Sequence, residues 1–370
     1  EFQVRLDGYE AEIHTLAGRP FNVASPKQLG TVLFDELGLP VIKRTKTGYS
    51  TNAEVLEKLS AQHPLPELVL KYRMLAKLIN TYTEVLQRAV HPATGRVHAT
   101  FQQTTGATGR LISTDPDLQR TPIHTAEGKR IREAFVAPAG WKMISADWSQ
   151  IELRLLAHFT ESPGLTEAFR DGKDVHKRTA SALFEVPIED ITRAQRDVGK
   201  TVNFATIYGQ GATALGQQLK IPRKDAKRYI EGYFTHYSSV RTWLDDTMAR
   251  ALETGYVETM LGRRRYIPEL SANSPMERQA GMRIAANTPI QGSAADLCKL
   301  AMLEIPKRFE AEGLATRMLL QIHDELVFEA PEHEVDTVVA IVTDVMEHAA
   351  KLRVPLIVDV GVGDSWAEAH

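Results

Sequence analysis

Cysteine is nearly missing from this sequence. Cys298 stands alone among 370 residues, which excludes an internal disulfide and a cysteine-rich zinc centre. There is no long uncharged apolar run and no signal peptide, so no membrane span is expected, and a cytoplasmic setting is. A dominant charge is lacking too. Lys and Arg number 44 against 47 Asp and Glu, a net charge of −3. Any surface for a polyanion must therefore come from local clustering. No repeat or low-complexity tract occurs. Neither a Gly-x-Ser-x-Gly nucleophile elbow nor a His-Glu-x-x-His zinc motif is present. Gly199-Lys200-Thr201 resembles the end of a P-loop, but Ala194 stands where that motif needs glycine and no strand precedes it.

What is there is ordinary for a globular protein: 43% hydrophobic and 25% charged residues. The length exceeds one compact core and predicts two or three subdomains. The sequence starts at Glu1, as expected of a fragment or processed chain.

The chain is organised around Ala146-Asp147-Trp148-Ser149-Gln150-Ile151-Glu152-Leu153-Arg154. Trp141 to Ala146 reads as extended, and Ile151, Leu155 and Phe159 recur at helical spacing. Asp147 thus falls where a strand gives way to a helix, a rigid place for a carboxylate facing a cleft. Ser149 and Glu152 fit a capping box, so Glu152 has two readings, as a cap and as a functional acid.

Around this stretch the pattern predicts a helix from Gln28 to Leu37. Lys43 to Thr51 is a basic loop, either merely solvated or a phosphate contact. A long helix from Pro66 to Arg88 carries a seam of Leu68, Tyr72, Leu75, Ile79, Tyr82 and Leu86. Residues 105 to 122 read as irregular loop. Lys129, Arg130 and Arg132 add local positive charge. Arg193 to Tyr208 predicts a helix bearing Arg196, Lys200, Phe204 and Tyr208, four apart on one side. Arg196 and Lys200 are like charges one turn apart, which favours an anion between them; the bland alternative is a solvated basic face followed by packed aromatics. Tyr256 to Ile267 predicts a hairpin whose Arg263, Arg264 and Arg265 form a soluble tip. Met276 to Ile305 is helical, with a break expected at Thr288-Pro289 that leaves Asn287 and Gln291 at an irregular spot. Arg317 to Ala330 reads as a hairpin with His323-Asp324-Glu325 at its tip. A helix over 335–349 and an edge strand over 354–362 follow.

Asp147 and Asp324, strand-borne and distant in sequence, fit a two-metal site. Carboxylate oxygens suit Mg2+, and paired ions assist in-line phosphoryl transfer. A basic helix would take a triphosphate tail. The residues by themselves therefore point to metal-dependent chemistry on a phosphate ester.

Five stretches in register carry a resemblance. Asp147 to Arg154 resembles motif A of family A DNA polymerases. Arg196 to Gly209, as Arg-x-x-x-Lys-x-x-x-Phe-x-x-x-Tyr-Gly, resembles their motif B, and His323-Asp324-Glu325 their motif C. Asn287 to Asp296 and Thr108-Gly109-Arg110 match as well. The resemblance covers nearly the whole chain.

It implies an α/β (α+β) right-hand fold: thumb 1–98, palm 99–155 and 312–370 on an antiparallel sheet, and helical fingers 156–311. It implies template-directed addition of deoxynucleotides to a primer 3′-OH with release of pyrophosphate. Asp147 and Asp324, with the Trp148 carbonyl, would hold two Mg2+ ions, with Mn2+ able to substitute. Glu325 would support that site more loosely. Arg196 and Lys200 would grip the triphosphate, and Lys200 would protonate or screen the leaving group. Phe204 would pack on the nucleotide, Tyr208 would guard the templating position, and Glu152 would exclude a ribose hydroxyl. Gln150 joins this nucleotide set. Arg110, Arg283, Asn287, Gln291 and His323 would contact primer–template DNA, and loop 43–51 would lie along the duplex. A monomer without nuclease portions, and so without proofreading, is expected. A single-subunit RNA polymerase and a silent duplex-binding module are the alternatives.

Three features depart from the family pattern. Trp148 replaces a usual tyrosine. Arg120 and His124 stand at positions that normally touch nucleic acid. The span between Leu6 and Leu16 is short for the thumb helices.

Overall fold

Residues 1–122 and 125–370 are described by the computed structural model of the chain, and His124 lies outside them. They form two compact units, one of residues 1–100 and 121–131, the other of residues 101–120 and 132–370.

The first unit is mostly helical. α1 (Phe2–Ala17) ends at Gly18, whose φ of 73° closes the last turn. α2 (Pro26–Gly30) is capped by Ser25 and runs on as a π-type turn over Thr31–Glu36, so the helix expected there forms in two windings. Part of the basic loop pairs instead as a short hairpin, β1 (Arg44–Thr45) with β2 (Gly48–Tyr49), and Arg44 lies over the Tyr49 ring. α3 (Ala53–Leu59) precedes the long helical stretch. That stretch starts at Pro64 as α4 (Pro64–Leu78), passes through a π-type turn at Ile79–Thr83, and ends as α5 (Glu84–Ala89). Its seam packs: Leu68, Tyr72, Leu75, Ile79 and Tyr82 are buried, and α4 lies against α1 and α3. Leu86 is only half-buried.

The second unit holds the remaining secondary structure. β3 (Thr100–Gln102) and β4 (Ile112–Thr114) pair, so the stretch expected as irregular contains a strand. α6 (Ala126–Arg132) spans the boundary between the units. β5 (Trp141–Trp148) and α7 (Ile151–Thr160) follow. Next come α8 (Pro163–Arg170), α9 (Val175–Phe184), α10 (Arg193–Ile207), α11 (Ala212–Leu219), α12 (Arg223–His236) and α13 (Ser238–Thr254). The hairpin β6 (Tyr256–Glu258) and β7 (Arg264–Tyr266) forms as predicted. α14 (Pro275–Ala311), β8 (Arg317–Ile322), β9 (Glu325–Pro331), α15 (Val335–Glu347), β10 (Val358–Gly363) and α16 (Trp366–Ala369) complete the chain.

Four strands form one sheet in the order β10-β5-β9-β8, every neighbour antiparallel. β10 is an edge, as expected of the last strand, but it starts at Val358 and not at 354. Successive side chains of a strand point to opposite faces. On β5 and β9 that alternation sends Ile144, Ala146, Leu326, Phe328 and Ala330 into the large helical core. Met143, Ile322 and Val327 meet Trp366 and Ala369 on the other side, the side to which Asp147 belongs by parity. Phe328 is fully buried, and its loss to Ala would cost about 3–5 kcal/mol.

α14 corrects the sequence reading. It runs unbroken for 37 residues, with Pro289 and Pro306 inside. Pro289 has no N–H to donate, but hydroxyls support the backbone around it. Thr288 Oγ1 donates to the Ile284 carbonyl at 2.7 Å and accepts from Arg265 at 3.0 Å. Ser293 Oγ donates to the Pro289 carbonyl. Buried Ala285, Ile290, Ala294 and Leu297 hold this length of helix in the core.

Candidate active site

Asp147 is the penultimate residue of β5 and lies directly opposite Glu325 of β9. His323 and Asp324 are the two residues of the β8–β9 turn, and His323 takes a φ of 53°. The Trp148 amide donates to the Asp324 carbonyl at 3.2 Å. Two acids 177 positions apart are thus brought to one end of the sheet. Both are half-buried. The Asp147 carboxyl is pushed up to about 7, first by burial and then by the charges of Asp324 and Glu325. Asp324 is pushed up to about 6 by burial, with Arg110 opposing and Glu152 adding to the rise.

Glu325 differs. It is buried, and its Oε1 accepts from Ser145 Oγ at 2.6 Å and Trp366 Nε1 at 2.9 Å. His370 lies 3.5 Å away. Arg132 approaches Oε2 at 4.0 Å while stacked 3.8 Å over Trp366. These partners outweigh the burial and hold the carboxyl below the usual range. Ser145, Arg132 and Trp366 gave no sequence signal of this role; only strand register and the folded α16 bring them together.

Glu152 is not the N-terminal cap of α7. Gln150 caps the helix in the left-handed region at φ 56°, without a side-chain bond. The Glu152 carboxylate is committed elsewhere: Oε1 accepts from Arg110 at 2.8 Å and Oε2 from the Tyr208 hydroxyl at 2.8 Å. Arg110 also comes within 3.6 Å of Asp324. Burial, then Glu152, raises the Tyr208 pKa well above the phenol value, and Gln291 also reaches that hydroxyl.

α10 starts with a capping box of Thr192 and Gln195. Its buried residues Gly199, Val202, Asn203 and Thr206 follow i, i+3, i+4, i+7 spacing. A Cβ at Gly199 would run into the His176 carbonyl of α9, so this glycine serves helix packing, which accounts for the false P-loop. Arg196 donates to Asp174 at 2.7 Å, and the other oxygen of Asp174 caps α9. The anion expected beside Arg196 is therefore partly supplied by the protein. Lys200 is exposed. Phe204 is half-buried, 6.0 Å from the His176 ring and stacked at 6.3 Å on Tyr208. His176 Nδ1 accepts from the Asn203 amide nitrogen at 3.0 Å, and the Asn203 amide oxygen accepts from Thr179. Asp174, His176 and Asn203 were not singled out in the sequence.

Arg283, Asn287 and Gln291 recur every four residues along α14, one stripe of that helix. Three polar atoms here are buried without a partner among the described residues: Arg110 Nε, Gln150 Oε1 and Asn287 Oδ1. His323 is exposed by surface area, yet desolvation by the atoms packed around it, with Arg110 nearby, lowers its pKa. Arg263 is no soluble tip. It bonds Asp296 at 2.8 Å and the Thr108 carbonyl at 2.7 Å.

Over residues 1–368 the sequence matches the model of DNA polymerase family A. The chain belongs to that family. This family A chain is 49% identical to DNA polymerase I of Geobacillus stearothermophilus over 370 residues, all of this chain and 42% of that protein. It is 49% identical to the thermostable DNA polymerase I of Thermus aquaticus over 362 residues, 97% of this chain and 43% of that one. It thus spans about two fifths of the length of these relatives. Its fold is the mixed helix and antiparallel-sheet fold of the POL domain of Pol1 from M. smegmatis, solved in complex with DNA primer-template and dNTP. The TM-score is 0.94 at 44% identity, covering all of this chain and 65% of that one. Among the described residues no helix is long and apolar enough to cross a membrane.

Proposed function

We propose that this chain is a DNA-dependent DNA polymerase that adds deoxynucleotides to a primer 3′-OH and releases pyrophosphate. The observation that carries the reading is the meeting of Asp147 and Asp324 at one sheet end, tied through Arg110, Glu152 and Tyr208 to the cationic helix α10.

Divalent-metal dependence goes with the family, and the donor set fits it. Hard carboxylate oxygens, raised in pKa by burial and by neighbouring acids, are the groups a cation would relieve. Mg2+ takes few protein carboxylates and completes its shell with water and substrate phosphates. Asp147 and Asp324, with the Trp148 carbonyl, would hold two Mg2+, or Mn2+ in their place. Bound there, the ions supply Lewis-acid stabilisation of the attacking and leaving oxygens. Glu325, saturated by its own partners, would hold the strand ends in place.

The protein's own groups do the rest. Tyr208 and Lys200 lie eight residues apart, about 12 Å along α10. A nucleotide laid along this helix would stack its base end by Phe204 and Tyr208. Its triphosphate would reach Lys200 and then Arg196, which would leave Asp174 to take it. Lys200 would screen or protonate the departing pyrophosphate. Glu152, held by two donors, would form a fixed wall under the sugar and turn away a 2′-hydroxyl. Gln150 would complete that pocket, and Arg110, Arg283, Asn287, Gln291 and His323 would line the primer–template end. In hand terms, residues 1–98 serve as thumb, 99–155 with 312–370 as palm, and 156–311 as fingers, acting as a monomer in the cytoplasm.

Primer extension with Mg2+ and the four deoxynucleotides tests the reading. Extension that stops without template or metal supports it. A folded chain that binds duplex but never extends would replace it with the silent binding module. Preference for ribonucleotides would replace it with the RNA polymerase.

A further inference from the structure

Arg263 joins three segments of the second unit. It leaves the β6–β7 hairpin, and its guanidinium makes three bonds. Nε donates to Asp296 Oδ1 at 2.8 Å, and Nη2 donates to the Thr108 carbonyl at 2.7 Å and the Gly292 carbonyl at 3.1 Å. Asp296 is buried and Arg263 half-buried, and the pair is a charge-assisted bond. The backbone of Arg263 is itself fixed, its N–H bonding Thr259 Oγ1 and its carbonyl the Thr259 amide.

The neighbouring glycines are shaped to this guanidinium. Gly109 takes a φ of 88°, and a Cβ there would fall inside the Arg263 guanidinium. A Cβ at Gly292 would come within 2.6 Å of Thr259 and 3.1 Å of Arg263 Nη2. The turn that carries Gly109 is tight: its amide donates to the Gly106 carbonyl at 2.8 Å. A planar fork with several donors suits such a three-way junction, and a lysine ammonium does not. One residue beyond Gly109 stands Arg110, which spans Glu152 and Asp324 and keeps its Nε free for a ligand.

The geometry points to Arg263 as a positioning residue: with Asp296 it sets the 106–110 turn on α14 and thereby aims Arg110 at the reacting end of the primer. This rests on the polymerase reading of the site. Arg263 acts through Arg110, since a displacement of about 1 Å at a positioned group costs up to about 100-fold in rate.

The test combines Arg263→Ala, Arg263→Lys, Asp296→Asn and Arg110→Ala with the double variant of Arg110→Ala and Arg263→Ala. Arg263→Ala is expected to lower kcat for primer extension by roughly 10- to 100-fold while the nucleotide KM moves little. Arg263→Lys, which keeps charge and stem, should lose nearly as much, and Asp296→Asn less. In the Arg110→Ala background, removing Arg263 should change kcat by no more than about twofold, because the two act as one unit. Losses that multiply in the double variant overturn the inference, as does full activity in Arg263→Lys. Amide hydrogen exchange supplies a readout independent of turnover. Thr108, Gly109 and Arg110 should lose protection in Arg263→Lys while β5 and β9 keep theirs; unchanged protection at the turn also overturns it. If the unmutated chain extends no primer, the polymerase reading fails, and the exchange result still decides whether Arg263 holds the turn.

Discussion

The Tyr208 hydroxyl donates to Glu152 across 2.8 Å, joining the C-terminal end of α10 to the first turn of α7. Arg110 occupies the other oxygen of the same carboxylate. An acid held from both sides can serve as a rigid wall beside a sugar. Hydrogen bonds to charged groups contribute about 1.5–3 kcal/mol, and 1.36 kcal/mol is a factor of ten. Glu152→Ala should therefore reduce discrimination against ribonucleotides by at least about tenfold. The ratio of kcat/KM for matched ribo- and deoxynucleotides reads this directly. An unchanged ratio would remove Glu152 from the gate.

The charge of Asp324 adds to the burial that raises the Asp147 pKa. Asp147→Asn or Asp324→Asn removes a metal-binding charge, so extension should fall by about 1,000-fold or more. Duplex Kd should stay within a few-fold. With chelator present, Tm should hold or rise in Asp324→Asn, because that substitution deletes the charge that helps raise the Asp147 pKa. A large drop in Tm would mean that the pair is a structural element of the sheet.

Burial drives the His176 pKa down to about 4, with Asp174 opposing and Arg196 and Lys200 adding. The folded-state pKa lies below the ordinary histidine value, so the unfolded chain binds the extra proton between about pH 4 and pH 6.5. Stability from the buried neutral ring is complete above that window and is lost as pH falls through it. The full effect is roughly 3 kcal/mol. Urea unfolding at pH 7.5 and pH 4.5 should show a shallower pH dependence in His176→Gln than in the parent. Equal slopes would mean that the ring is solvated.

What the sequence made legible follows from local physics. A short extended run located β5, and period-two alternation located β8 and β9, and with them Asp147 and Asp324. Period-four spacing located α10 with Arg196, Lys200, Phe204 and Tyr208. The failures share a cause in long-range contacts. Ser149 and Glu152 look like a cap until Arg110 and Tyr208, 42 and 56 residues from Glu152, claim its oxygens. Pro289 looks like a stop until the Thr288 and Ser293 hydroxyls and a buried setting keep α14 intact. Arg263 looks like a solvated tip until Asp296 and Thr108 arrive. Arg132 reads as loose positive charge, yet it is stacked on Trp366 beside Glu325.

Arg283 is exposed one turn before Asn287 on the stripe that reaches Tyr208 through Gln291. Gly209 lies against it: a Cβ there would meet Arg283 Cγ at 3.3 Å. The chain has no net positive charge to offer DNA, so affinity must come from a few placed cations that release counterions from phosphates. If Arg283 is one of them, Arg283→Ala should weaken duplex binding to a similar degree for all sequences. It should also reduce the slope of log affinity against log salt by about one. Fluorescence anisotropy across 50–200 mM salt measures both. A loss confined to particular terminal base pairs, with the slope unchanged, would instead assign Arg283 to base edges, alongside Asn287 and Gln291.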